Sequence, residues 1–264
     1  MINAYWQVVK TSAHEDAANA KRLIAGVSVS VIRIGLIAAI YGVAYRKLNH
    51  ASLPYANAIW GIGIYFGLIL NLGLRNVFKI VNHEVSTGMV EVGLIKPLDW
   101  RLTKVCQLIG KNGLEFLVGL VAIPCALYMF VGLPDTSHIS IVVVLSFILL
   151  TILAIVAAAS LFLTIGLSAF WLNDAKSVYR LTDKVVLIFG GGFVPIALLP
   201  GVVQSIIRYS PFGVYAAPTQ LFNPAMVANL PATLISAVVW SVLLLVFCQF
   251  IWARVEKRIE VNGG

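Results

Sequence analysis

Long runs of apolar residues set the first constraint on this chain. A helix crossing a bilayer needs about 20 such residues to span a hydrocarbon core of about 30 Å. Six stretches meet or approach that length, at residues 23–44, 55–74, 108–131, 139–170, 185–199 and 232–252. Lipid supplies no hydrogen bonds, so each stretch must close its backbone bonds internally as helix. The expectation is an all-α polytopic membrane protein with six transmembrane helices, forming a single domain over residues 1–264. Composition excludes the alternatives. Charged residues make up 11% of the chain and hydrophobic ones 60%, whereas soluble domains carry about 25% charged residues. Disorder requires the opposite balance, with low hydrophobicity and high charge.

The fourth stretch is longer than one crossing needs, which implies tilt or an end projecting into water. The fifth is short and interrupted by Gly190, Gly191, Gly192, Pro195 and Pro200. Breakers at membrane depth survive only where protein or a water-lined cavity satisfies the freed backbone groups. A span followed by a re-entrant hairpin over residues 193–208 fits better than an uninterrupted helix.

Basic residues set the orientation. With both termini in the cytoplasm, fifteen of the nineteen Lys and Arg fall inside, including Lys10, Lys79, Lys96, Lys104, Lys176, Arg180 and Lys257. Outside remain Arg46, Lys47 and Arg208, while Arg33 lies within the first span. An even number of spans agrees with this placement, and the hairpin at 193–208 becomes extracellular. In residues 1–22, Tyr5, Trp6, Val9, Ala13 and Ala17 recur at helical spacing opposite Lys10, His14 and Lys21. This pattern predicts an interfacial helix on the cytoplasmic surface. Glu15 and Asp16, together with the length of the apolar run that follows, argue against a cleavable signal.

The net charge of +8 follows membrane topology and not nucleic-acid recognition, because the basic residues sit at the edges of apolar runs. Cys106, Cys125 and Cys248 are odd in number and far apart, which suits buried thiols and neither a disulfide framework nor a metal knuckle. No phosphate-binding loop of the form G-x-x-x-x-G-K-[ST] occurs, so ATP hydrolysis by this chain is not expected. His83-Glu84 lacks the second histidine of a zinc protease, no G-x-S-x-G elbow is present, and Asp99, Asp135, Asp174 and Asp183 all fall in predicted loops. No catalytic residue, metal or bound cofactor is expected.

The most informative segment is residues 76–97, where Glu84, Gly88 and Glu91 fall at i, i+4 and i+7, on one face if a single helix forms. Pro97 would end that helix. With Leu94, these residues stand at the spacing of the coupling-helix motif of ABC-2 type transporter permeases, which this chain resembles. Gly192-Phe193-Val194-Pro195, then Leu199-Pro200, then Ser210-Pro211-Phe212, resemble the same family's signature for an extracellular re-entrant hairpin between spans five and six. Met89, Gly93 and Ser210 depart from the residues usual there. The resemblance covers nearly the whole chain.

The resemblance implies a membrane permease subunit of an exporter, placed in the cytoplasmic (cell inner) membrane. It would form the translocation path with a second permease, identical or related, and be driven by two copies of a cytosolic ATPase that carries ATP and Mg²⁺. Glu84, Gly88, Glu91, Leu94 and Pro97 would then be the ATPase-coupling residues. Gly192, Phe193, Pro195, Pro200 and Pro211 would shape the hairpin. Arg33 is a candidate for the translocation path, because a mid-membrane charge is costly and faces protein or water; a buried pair or carbonyl contact is the other reading. Glu115 would pair with Lys111 one turn away. The competing function class is an ion-coupled carrier or channel working without ATP, which would carry paired ionisable groups and symmetric broken helices near the midplane.

Overall fold

The computed structural model of the chain describes residues 2–17, 20–47, 53–95, 97–172 and 174–262. Lys96 and Asn173 lie outside the described residues, as do the side chains of Arg22, Lys47 and Arg258. Among the described residues every regular element is helical. In order they are α1 (Ile2–Ala17), α2 (Ala20–Lys47), α3 (Tyr55–Ile64), α4 (Val77–Thr87), α5 (Val90–Leu94), α6 (Trp100–Val131), α7 (Ile141–Leu167), α8 (Ala175–Phe189), α9 (Gly201–Tyr209), α10 (Gly213–Thr219), α11 (Pro224–Ala228) and α12 (Leu230–Asn262).

Four described helices are long and apolar enough to cross a membrane: Leu23–Arg46, Trp100–Val131, Ile141–Phe170 and Leu230–Lys257. A fifth crossing results if the bent pair Tyr55–Leu70 and Leu74–Thr87 counts as one span. The expected fifth span at 185–199 is not among them. Its residues are divided between the last turn of α8, the Gly190–Gly192 bend and a single 3₁₀ turn at Ile196–Leu198. The glycines end α8 for a steric reason. Gly191 has a φ of +82°, and a Cβ on Gly190 or Gly192 would press into the Tyr65 ring.

At the centre stands α7, whose Leu150, Ala154 and Ala157 are fully buried. Helix association in lipid depends on close van der Waals packing, which small residues permit. The alanine face of α7 accordingly takes α12 on one side and α10 on another, and Gly166 lets Val81 and Phe78 of α4 approach. Ser241 of α12 also donates to the Leu153 carbonyl at 3.3 Å. Exposed Ile and Leu side chains, such as Ile32 and Leu36 on α2 and Ile141 and Leu145 on α7, cover the outside.

The second apolar stretch departs most from a simple span. After α3 the chain widens into a π-helical segment at Tyr65–Leu70, with Asn71 N donating to Phe66 O at 3.1 Å. It then turns through Asn71, Leu72 and Gly73, whose φ is +66°, and re-enters helix as α4 at an angle of 40°. Backbone groups freed by this break find partners inside the protein. Asn112 of α6 donates to the Leu72 carbonyl at 3.2 Å, Gly73 N donates to Leu70 O at 3.0 Å, and Ser30 of α2 donates to the Asn71 side chain at 3.1 Å.

The third span extends to Trp100, beyond the expected start at 108, because Asp99 caps it. Its carboxylate accepts from Arg101 N at 2.8 Å and Leu102 N at 3.3 Å, and Arg101 returns a guanidinium contact at 2.6 Å. The Arg101 guanidinium also lies 4.9 Å from the Trp252 ring of α12, and Asp99 N donates to the Tyr5 hydroxyl of α1. One cap thus joins three helices at the basic end of the bundle.

Two outcomes are expected. Asn112→Leu should strand the Leu72 carbonyl and crowd Gly73, lowering stability by about 1–3 kcal/mol, measured as a fall in Tm in detergent. Burial raises the Asp99 carboxyl, but the Arg101 side chain and two backbone N–H groups outweigh it and hold the group below its ordinary value. Asp99 therefore stabilises the fold above its unfolded pKa of about 3.9, and that stabilisation is lost as pH falls through the lower folded value. The stability advantage of the native chain over Asp99→Ala, about 1 kcal/mol and read as a higher Tm, should be present at neutral pH and vanish in acid.

Candidate functional site

The segment singled out at 76–97 folds as two helices, not one. Helix α4 ends where Gly88 takes the left-handed conformation at φ +71°, with Gly88 N donating to Val85 O. A short second helix, α5, then carries Glu91 and Leu94 in a new direction. Glu84, Gly88 and Glu91 therefore do not share one helix face. Glycine at 88 serves conformation here, since nothing among the described residues lies within 4 Å of where its Cβ would be. Pro97 follows the end of α5 and stops neither helix directly.

Glu84 is turned toward the protein. One carboxylate oxygen accepts from Lys104 Nζ at 2.5 Å and the other from Trp100 Nε1 at 2.9 Å, both on α6. The paired side chains keep only 17% and 11% of their surface exposed. Trp100 stacks on Trp252, and both lie in a cluster with Val77, Val81, Val90 and Leu167. Glu84 consequently locks α4 to α6, while Glu91, Leu94 and Pro97 remain exposed. Around them Met89, Val92 and Ile95 also stay open, Ile95 at 84%. The tip of this segment is an apolar knob with one carboxylate.

A second ion pair, missed in the sequence, anchors the other end of α4. Asp183 lies inside α8 and not in a loop; it accepts from Arg75 at 3.1 Å, just after the break in the second stretch. Phe78 and Tyr179 stack beside it, with centroids 4.3 Å apart. The readable signal was the periodicity of α8, where Ala175, Tyr179, Asp183 and Val186 recur on one face.

Arg33 sits on the border between the buried and exposed faces of α2, its guanidinium 5.4 Å from the Phe66 ring centroid. It shares a layer with Ser30, Asn71 and Phe66, and so with the break itself. Glu115, expected beside Lys111, has its carboxylate against Gly26 of α2, where a Cβ would collide with it.

The hairpin residues gather at the opposite end. Gly192 rests on Tyr65, and the Phe193 carbonyl accepts from the Tyr41 hydroxyl at 2.9 Å. Pro195 precedes the 3₁₀ turn, Pro200 precedes α9, and Pro211 lies in the turn between α9 and the wholly buried α10. Ser236 and Trp240 of α12 donate to the carbonyls of Arg208 and Tyr209, both at 2.8 Å, and hold the end of α9.

The profile of the ABC-2 type transporter matches residues 19–217, from the start of α2 through most of α10. The chain belongs to the ABC-2 type transporter family. It is an integral membrane protein and a permease component of an ABC-type transporter. Among curated proteins none matches the chain. The matched region of this ABC-2 permease contains the α4–α5 knob, the broken second stretch and the hairpin. Among the described residues no group of three or more His, Cys, Asp or Glu side chains is placed to hold a metal.

The Glu84–Lys104 pair should behave as a structural lock. Removing one partner alone, as in Glu84→Leu or Lys104→Met, leaves a largely buried charge unpaired and should cost about 1–3 kcal/mol. The double variant should recover most of that loss, read as Tm in a double-mutant cycle.

Proposed function

We propose that this chain is the membrane subunit of an exporter, pairing with a second permease, identical or related, and driven by two copies of a cytosolic ABC ATPase. The observation that carries this reading is the exposed α4–α5 knob on a chain of the ABC-2 family. Its base is fixed by ion pairs to α6 and α8, while its tip offers Met89, Val92, Leu94 and Ile95 around Glu91. A groove on the ATPase would receive the tip, and ATP and Mg²⁺ would be bound there and not on this chain. Movement of the tip would pass through two charge-paired joints into the helices, a rigid-body mode of switching.

In this reading the basic end, with α1 and the C-terminal part of α12, faces the cytoplasm. The re-entrant hairpin over residues 193–208 is extracellular. Helix α8, continued through the glycine bend, completes a sixth crossing together with protein around it. The exposed face of α2, edged by Arg33, would meet the second permease along the translocation path. The coupling role shifts within the predicted set: Glu91, Leu94 and Pro97 contact the ATPase, whereas Glu84 and Gly88 shape and hold the knob.

The test is co-purification with the cognate ATPase from membranes. Val92→Asp combined with Ile95→Asp should reduce recovery of the ATPase at least about tenfold, equivalent to about 1.4 kcal/mol of docking energy, without changing the Tm of the permease. Full recovery of the ATPase by that variant, or transport by this chain in proteoliposomes without an ATPase, would overturn the proposal.

A further inference from the structure

Beside α9, at the end of the molecule opposite the basic one, lies a cavity of about 50 Å³. A water-sized guest needs about 10–15 Å³ of such space, so about three or four of them, or one small solute, can enter. Side chains of α9, α10, α11 and the first turn of α12 enclose it, with Ile196, Ile207 and Ala216 as an apolar wall.

The polar groups that line the cavity are unevenly matched. Gln204 donates its amide to the Ala197 and Leu199 carbonyls at 3.3 and 2.7 Å, and Thr233 donates its hydroxyl to Asn229 O at 3.0 Å. Asn223 donates to Gln220 Oε1 at 2.8 Å and accepts from Ala225 N at 3.1 Å. Two groups are left as donors without an acceptor among the described residues: the Gln220 amide nitrogen, with two N–H groups, and the Arg208 guanidinium, with five.

No acid offsets that guanidinium. Between Asp183 and Glu256 the sequence contains no Asp or Glu. Asp135, in the loop before α7 at the same end, accepts from Ser137 N at 2.9 Å and responds to the charge of His138, not to that of Arg208. The cavity therefore combines a partly buried cation, spare N–H donors and room for little more than an ion.

We infer that the cavity binds a monovalent anion of the size of chloride, held by Arg208 and the Gln220 amide. Water could take the amide N–H groups but would leave the guanidinium uncompensated beside an apolar wall, where charges are weakly screened. An anion accepts from both groups and joins α9 to the Gln220–Asn223 turn, which fastens the hairpin helix against the buried α10. The inference stands on this cavity alone, so it holds or fails independently of the proposed export function.

Thermal unfolding of the full chain in detergent, with sodium isethionate exchanged for sodium chloride at constant ionic strength, tests the site. Chloride should raise the Tm by about 2–4 °C, whereas isethionate is too large for the cavity and should not. Arg208→Gln should abolish the difference between the salts, and Gln220→Ala should raise the chloride concentration for half effect about tenfold. Arg46→Gln, which removes equal charge at the same end outside the cavity, should leave the response unchanged. Only the difference between salts is read, so a variant of lower stability remains informative. Equal Tm values in both salts would overturn the anion in favour of water. A response that survives Arg208→Gln, or keeps its midpoint in Gln220→Ala, would overturn the site, and an equal loss in Arg46→Gln would reduce the effect to screening.

Discussion

Backbone groups released where a membrane helix breaks must be satisfied by protein, because lipid offers no partners. The turn at Asn71, Leu72 and Gly73 meets that demand through Asn112 of α6, which donates to the Leu72 carbonyl, while Ser30 of α2 holds the Asn71 side chain in place. Those contacts require α2 and α6 to lie against the break, and glycines at 73 and 119 make room for the two asparagine amides. The course of α4, the packing of α4 on α7 and the pairing of Arg75 with Asp183 all follow from the 40° change of direction made there. A straight second span would have carried Arg75 elsewhere and left Asp183 on α8 without it.

Two ion pairs then convert α4 from a flexible connection into a fixed strut. Breaking one partner of such a half-buried pair is costly, although the pair itself adds little net stability over apolar side chains of similar size. Their value here is positional: Glu84 sets the distance to α6 and Asp183 the distance to α8. Beyond the strut, Gly88 redirects the chain into α5, whose apolar side chains have no comparable anchorage except Val90. A rigid base with an exposed tip suits the transmission of a displacement from a partner, which is the role proposed for this permease.

The opposite end is organised by close approach and not by charge. Tyr65, on the π-helical segment, receives Gly190 and Gly192, and the left-handed Gly191 turns the chain between them. Helix α10 is buried from Gly213 to Thr219 and wedged among α3, α7 and α12. The same π-helical segment therefore supports the hairpin region on one side and leads into the break on the other, so the two ends of the molecule share a common element.

The sequence by itself determined that the chain is helical and lies in lipid, because runs of about 20 apolar residues with scarce charge allow little else. It also marked the triple glycine with Pro195 and Pro200 as an interruption, since their backbone preferences are local, but it carried one helix through Gly88, where the structure ends α4. The four uninterrupted spans were legible for the same reason. Only the tertiary structure decided which way Glu84 points, that Asp183 lies within α8 and pairs with Arg75, and that the second stretch breaks at Asn71–Gly73. Spacing along a helix gives the face a residue occupies but not what that face meets. Glu84 and Lys104 are far apart in sequence, and their pairing depends on the break that brings α4 beside α6.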